Sequence, residues 1–189
     1  MSQLQISHRY AKSLIDLSND QKELEKVYED VLTIAEVCKN VEFTAMLKSP
    51  IVHTDKKLAI MKSLFEGKVQ KLSLQFIQLL VSKSREGLLD SISKAFIEQY
   101  KEIKKIKSAT LITAKELNES ELNTIKSKFS FWLKEGETME LSQKVDTKLI
   151  GGFILEMGDK NYDTSIKRQL NELKENLYDT SYISLVERR

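Results

Sequence analysis

A mainly helical protein with a smaller α+β part is what this sequence predicts: an N-terminal six-helix bundle followed by a small β-α-β-β-α domain. Three observations carry the prediction. Apolar residues recur at helical spacing in one segment after another up to about residue 105. Past Lys107 the period shortens to alternation, with Ala109, Leu111 and Thr113 on one side of a strand and Thr110, Ile112 and Ala114 on the other. One proline and six glycines in 189 residues leave room for long helices joined by few tight corners.

The first helix runs from about residue 3 to 17. On a helical wheel, Ile6, Leu17, Tyr10, Leu14, Ala11, Leu4 and Ile15 sweep roughly 180°. A helix seated on a single core needs a stripe nearer ~100°. The excess calls for a second apolar contact, within the fold or with a partner. Asp20-Gln-Lys-Glu23 has the form of a capping box for helix two, whose stripe is Leu24, Val27, Tyr28, Val31, Ala35 and Cys38. A short third helix follows and stops at Ser49-Pro50, because proline disfavours a helical residue before it. Thr54 can cap the fourth, with Leu58, Met61, Leu64 and Phe65 inward and Gly67 at its end. The fifth, about 69–83, is apolar nearly all round: Leu72, Leu74, Phe76, Ile77, Leu79, Leu80 and Val81. Such a helix is central to a bundle or shares a face with another molecule. Ser84-Arg-Glu-Gly87 breaks it, and Leu89, Ile92, Phe96, Tyr100 and Ile103 mark the sixth.

Beyond the first strand, Asn118-Glu-Ser-Glu121 is a second capping box, opening a helix with Leu122, Ile125, Phe129 and Trp132 inward. Met139, Leu141 and Val145 alternate as a second strand. Gly151-Gly152 then feeds Phe153–Met157, a third strand, and Gly158–Asn161 is a turn after which Tyr162 resumes an extended chain. Asp163 or Thr164 can cap a last helix whose face is Ile166, Leu170, Leu173 and Leu177. The division read from this pattern is a bundle at 1–105, an α+β domain at 106–178 and a tail at 179–189 to which no role is assigned.

Composition narrows the function classes. A net charge of +2 gives no electrostatic footprint for nucleic acid. The cluster Lys101–Lys107 is interleaved with Ile103 and Ile106 and reads as the solvated side of a helix. The single cysteine, Cys38, lies on an apolar stripe and reads as a buried structural thiol. No apolar run approaches the ~20 residues of a membrane span, and residues 1–17 lack a signal-peptide pattern, so a soluble protein of a reducing compartment is expected. His8 and His53 fall in different elements without metal-spaced neighbours, so no metal is expected. The paired glycines precede their strand, and neither phosphate-loop nor dinucleotide spacing is present, so no cofactor is expected. No nucleophile elbow appears either. A binding or scaffolding protein is the reading, with no catalytic residues.

Four segments in order sharpen it. Ile6-Ser-His-Arg-Tyr-Ala-Lys-Ser-Leu14 is similar to an Arg-x-Tyr-Ala-Lys-Ala-Leu opening, with Ser13 where alanine is usual. Leu47-Lys-Ser-Pro-Ile51 follows, with Lys57 beyond it. Phe76–Leu88 holds Arg85 at a basic position after the fifth helix. Val145–Leu170 is similar to Val-Asp-Pro-x-Leu-Ile-Gly-Gly followed by Asp-x-Ser, matched here by Gly151, Gly152, Asp163 and Ser165, with Thr147 in place of the proline. Together these resemble the delta subunit of the F-type ATP synthase, the oligomycin-sensitivity-conferring protein family. The resemblance implies a non-catalytic stator subunit of the F1Fo complex, peripheral at the cytoplasmic face of the bacterial inner membrane. It would link the alpha3beta3 head to the b stalk so that proton-driven rotation is coupled to ATP synthesis. It further implies that N-terminal segments of the alpha subunits dock in a groove between helices one and five. That groove would involve Tyr10, Ala11, Leu14, Phe76, Ile77, Leu80 and Val81. The C-terminal domain would meet the C-terminal end of the b subunit. The competing reading is a helical regulatory adaptor or RNA-binding protein that shares only the general architecture.

Overall fold

The computed structural model describes residues 3–186, with side chains as far as Leu177. The chain divides into two compact units between Ile103 and Lys104. The first contains α1 (Gln3–Asp20), α2 (Leu24–Val37), α3 (Val41–Lys48), α4 (Thr54–Phe65), α5 (Lys71–Ser82) and α6 (Leu89–Ile103). The second contains β1 (Ile106–Thr113), α7 (Glu119–Lys128), β2 (Thr138–Val145), β3 (Phe153–Met157), β4 (Lys160–Asp163) and α8 (Ile166–Val186). The mainly helical class with a smaller mixed part is therefore what the chain adopts. Tyr162 lies in β4, a fourth strand beyond the β-α-β-β-α count. The segment set apart as a tail continues α8 as far as Val186, and 187–189 lie outside the described residues.

In the helical unit, α1 and α2 both pack along α6, and α4 packs on α5. Ile34, Cys38, Phe43, Met61, Phe65 and Ile77 belong to one buried cluster that joins α2, α3, α4 and α5. Two polar groups are sunk into this unit with their partners. Asp30, in the middle of α2, accepts hydrogen bonds from Gln70 N–H (2.8 Å) and Ser73 Oγ (2.5 Å). No side chain of α5's own N-cap residue does this, so a carboxylate from a neighbouring helix meets the positive end of α5. Lys57 donates to Glu86 (2.6 Å) and to the Leu47 carbonyl (2.8 Å), with both side chains nearly sealed from solvent. The second carboxylate oxygen of Glu86 is buried without a hydrogen-bond partner.

Two helix ends differ from expectation. The capping box at Asp20–Glu23 is not formed, because α1 continues through Asp20 and ends in a Schellman turn. Lys22 takes φ +57°, Glu23 N–H donates to Ser18 O (2.9 Å) and Lys22 N–H to Asn19 O (3.0 Å). At α8 the cap is Ser165 rather than Asp163 or Thr164. Its Oγ accepts from Arg168 N–H (3.2 Å), while Asp163 Oδ1 accepts from Ser165 N–H (2.8 Å). The second capping box forms as read, with Asn118 N–H donating to Glu121 Oε2 (2.8 Å).

The sheet has the order β2-β1-β3-β4, with β1 and β2 parallel across α7 and the other pairs antiparallel. Ala109, Leu111, Leu155 and Met157 on one face meet Ile125 and Phe129. Phe129 is also edge-on to Trp132, Phe153 and Tyr162 at centroid distances of 5.2, 6.0 and 5.0 Å. The paired glycines tie this sheet to the start of α8. Gly152 has φ +76°, and a Cβ there would stand 2.3 Å from the Thr164 carbonyl oxygen. Gly151 accepts a hydrogen bond from Ile166 N–H (3.1 Å), and Thr164 N–H donates to Phe153 O (3.0 Å). Two backbones run too close here for any side chain between them.

Candidate docking groove

The apolar arc of α1 divides into an inner and an outer part. Ala11, Leu14 and Ile15 are buried. Ile6 and Tyr10 are half-buried, and Leu17 is exposed. Ile6, Tyr10, Ser13 and Leu17 follow one another at spacings of four, three and four, so they form a single line along the helix. The width of the arc that sequence could not apportion is therefore the sum of a core face and a surface line.

α5 divides similarly. Leu72, Ile77, Leu80 and Val81 are buried, Leu74 and Phe76 are half-buried, and Leu79 is 46% exposed. The Tyr10 and Phe76 rings meet edge-to-face at a centroid distance of 6.4 Å, an attractive geometry for two aromatic quadrupoles. α5 ends in the same kind of turn as α1. Ser84 takes φ +55°, its N–H donates to Val81 O (3.0 Å) and Arg85 N–H donates to Leu80 O (2.8 Å). That reversal places Arg85 with Ile6, Arg9, Tyr10 and Ser13 around an open hollow of about 570 Å³.

Of the seven residues named for the groove, Tyr10 lines the hollow and Phe76 is half-buried against the Tyr10 ring. Ala11, Leu14, Ile77, Leu80 and Val81 lie beneath the surface, at 3% exposure or less. Tyr10 and Phe76 both pack on the buried cluster that holds Ile77, Leu80 and Val81. Four lining residues were not among the seven named for the groove: Ile6, Arg9, Ser13 and Arg85. The line of Ile6 and Ser13 with Tyr10 and Leu17 was present in the spacing, but nothing in the sequence showed which edge of the arc faced outward.

The rest of the chemistry is structural. Burial and the nearby negative charge of Asp90 push the Cys38 thiol up to about 11, so it is neutral and unreactive near pH 7. Among the described residues no group of three His, Cys, Asp or Glu side chains is placed to hold a metal. Among them, too, no helix is long and apolar enough to cross a membrane.

The comparisons with known proteins agree with one another. The family model for the ATP synthase delta (OSCP) subunit matches residues 6–177. The chain belongs to that family. Among curated relatives, the ATP synthase subunit delta of Cytophaga hutchinsonii is 37% identical over 92% of this chain and 94% of its own length. That of Lactobacillus gasseri is 33% identical over 95% and 98%. A chain in the Toxoplasma gondii mitochondrial ATP synthase hexamer superposes with a TM-score of 0.66 at 23% identity, covering 91% of this chain and 97% of that one. The delta-family chain is thus a non-catalytic subunit of the ATP synthase, the stator element that links F1 to the peripheral stalk.

Proposed function

We propose that the groove beside α1 receives the N-terminal segment of an ATP synthase alpha subunit as an amphipathic helix, and that the C-terminal unit meets the C-terminal end of the b subunit. The observation that carries the first half is the hollow itself. Ile6 and Tyr10 supply an apolar strip beside the Phe76 ring, and Arg85 stands at its rim. A helix laid on that strip buries one apolar face and turns an acidic residue toward Arg85, the helix-in-groove mode of recognition. The buried cluster that holds Ile77, Leu80 and Val81 supports Tyr10 and Phe76 before anything binds, which lowers the ordering cost of association. Two attachments in series, one on each unit, hold the catalytic head against rotation, so that rotor movement is converted into ATP synthesis. The bacterial relatives support a peripheral position at the cytoplasmic face of the plasma membrane.

The test uses the intact chain and a synthetic peptide of the same organism's alpha-subunit N-terminus. Tyr10→Asp is expected to weaken binding by at least about tenfold while the bundle stays folded, with a lower melting temperature from the lost Phe76 contact. Calorimetric titration that finds wild-type affinity in the variant would dismiss the groove.

A further inference from the structure

In the turn between α5 and α6, two adjacent residues have opposite surroundings. Arg85 is exposed and lines the hollow beside α1, whereas Glu86 is buried against Lys57. Lys57 stands in the first turn of α4, and its Nζ joins two further elements. It donates to Glu86 Oε1 (2.6 Å) and to the Leu47 carbonyl in the last turn of α3 (2.8 Å). The segment from Leu47 to Lys57 and the segment around Arg85, far apart in the sequence, thus meet at one buried ion pair.

The turn needs that hold. Ser84 sits at φ +55°, a left-handed conformation that a residue with a Cβ keeps only where its surroundings fix it. Arg85 N–H donates to Leu80 O (2.8 Å) and Leu88 N–H to Arg85 O (3.0 Å), while Val81 and Leu89 are buried at the two ends. From Ser82 to Leu88, only Glu86 is buried. Arg85 forms no salt bridge among the described residues, so its place depends on the backbone that carries it.

We propose that Lys57 and Glu86 are positioning residues for Arg85: the buried pair fixes the turn so that the guanidinium stands at the rim of the hollow, where an acidic side chain of the docked segment meets it. This role rests on the reading that the hollow receives the alpha-subunit segment, and it names what sets the charge at the rim. An apolar pair in place of Lys57 and Glu86 would fill similar space and stabilise the fold about as well. Its contacts are non-directional, however, and leave the peptide plane between residues 85 and 86 free to turn. A charge-assisted bond from a lysine that is itself tied to Leu47 fixes direction as well as depth.

The experiment titrates the full chain with the alpha-subunit N-terminal peptide and measures the melting temperature of each variant alongside. Arg85→Gln is expected to weaken the peptide roughly fivefold, near the most an exposed ion pair supplies, and to flatten the salt dependence of binding. Lys57→Met with Glu86→Leu is expected to melt near wild type and yet to show the same loss and the same flattened salt dependence. Adding Arg85→Gln to that pair costs less than about twofold more, because both changes remove one interaction. If the pair does not melt cooperatively, Lys57→Leu with Glu86→Met replaces it under the same expectations. A paired variant that binds like wild type while Arg85→Gln is weakened makes the ion pair structural only and overturns the proposal, with the groove intact. Wild-type affinity in Arg85→Gln, with Tyr10→Asp weakened, overturns it as well and leaves the groove standing. If the wild-type chain does not bind the peptide, the groove and the proposal fall together.

Discussion

α1 and α8 carry the same spacing in different surroundings. Ile6, Tyr10, Ser13 and Leu17 on α1, and Ile166, Leu170, Leu173 and Leu177 on α8, both follow the four-three-four line. On α1 the neighbouring face, Ala11, Leu14 and Ile15, is buried in a helix that packs along α6. The line is the rim of a groove beside that buried face. On α8 no described side chain beyond Ser165 is buried, so the helix has only its line to offer. In proteins most of a helix's stability comes from the tertiary packing of one face. The α1 line is therefore organised by the core beneath it, and the described part of α8 has no such support.

The substitution with the largest expected effect attacks the close backbone approach that ties the sheet to the start of α8. Gly152→Val places a branched side chain at φ +76° and against the Thr164 carbonyl oxygen, 2.3 Å from where its Cβ would stand. A loss of more than about 4 kcal/mol is expected in the C-terminal unit. Thermal melting should show that unit unfolded while the helical unit keeps its transition and its affinity for the alpha peptide. Equal loss of both would break the contrast between them.

Next in size is the buried pair in the helical unit. Lys57→Met leaves Glu86 buried without its cation and is expected to cost about 3–5 kcal/mol, whereas adding Glu86→Leu recovers most of it. Urea midpoints of the two variants give the comparison, and a double variant no better than the single would show that the pair itself is needed.

A smaller effect is confined to alkaline solution. The Cys38 thiol holds its proton to about pH 11 in the folded chain and to about 9.0 when unfolded. Its contribution is therefore complete below pH 9 and is lost as pH rises from 9 toward 11, since the unfolded chain ionises first. Stability measured across that window should fall less steeply in Cys38→Ala. The thiol should also stay inert to disulfide reagents at pH 8 until the helical unit unfolds.

The smallest effect has the opposite sign. Ile150 is a β-branched residue at φ +66° and is 66% exposed, so Ile150→Gly relieves strain and gives up little packing. A gain of about 1 kcal/mol or less in the C-terminal unit is expected, read as a rise in its melting temperature. A fall would mean that the exposed side chain has a contact that stabilises the turn.

Periodicity made the fold class legible, because burying one side of a helix or strand is what spaces the apolar residues. It located the α1 arc and the α8 strip for the same reason. It could not say what covered them. The α8 residues were read as one face of a helix, and only the structure shows that face exposed. Likewise the seven groove residues were chosen by position along the chain, which does not separate Tyr10, lining the hollow, from Ile77 and Leu80 beneath the surface. Asp20-Gln-Lys-Glu23 had the letters of a capping box, yet the preceding helix claimed Asp20 and closed on itself through Lys22. The glycine pair announced a close approach. Its counterpart, the Thr164 backbone, is a dozen residues away and had no mark in the sequence.

Asp30 has a mechanical consequence. A load on α5 along its axis differs from one that tilts it. At the head of α5, Gln70 N–H and Ser73 Oγ are both held by one carboxylate rooted in the middle of α2. Sliding α5 lengthwise must stretch both bonds together and uncover a buried charge, whereas a tilt can be absorbed by the apolar contacts around it. Lengthwise movement of α5 is thus opposed at its head, where Asp30 ties it to α2.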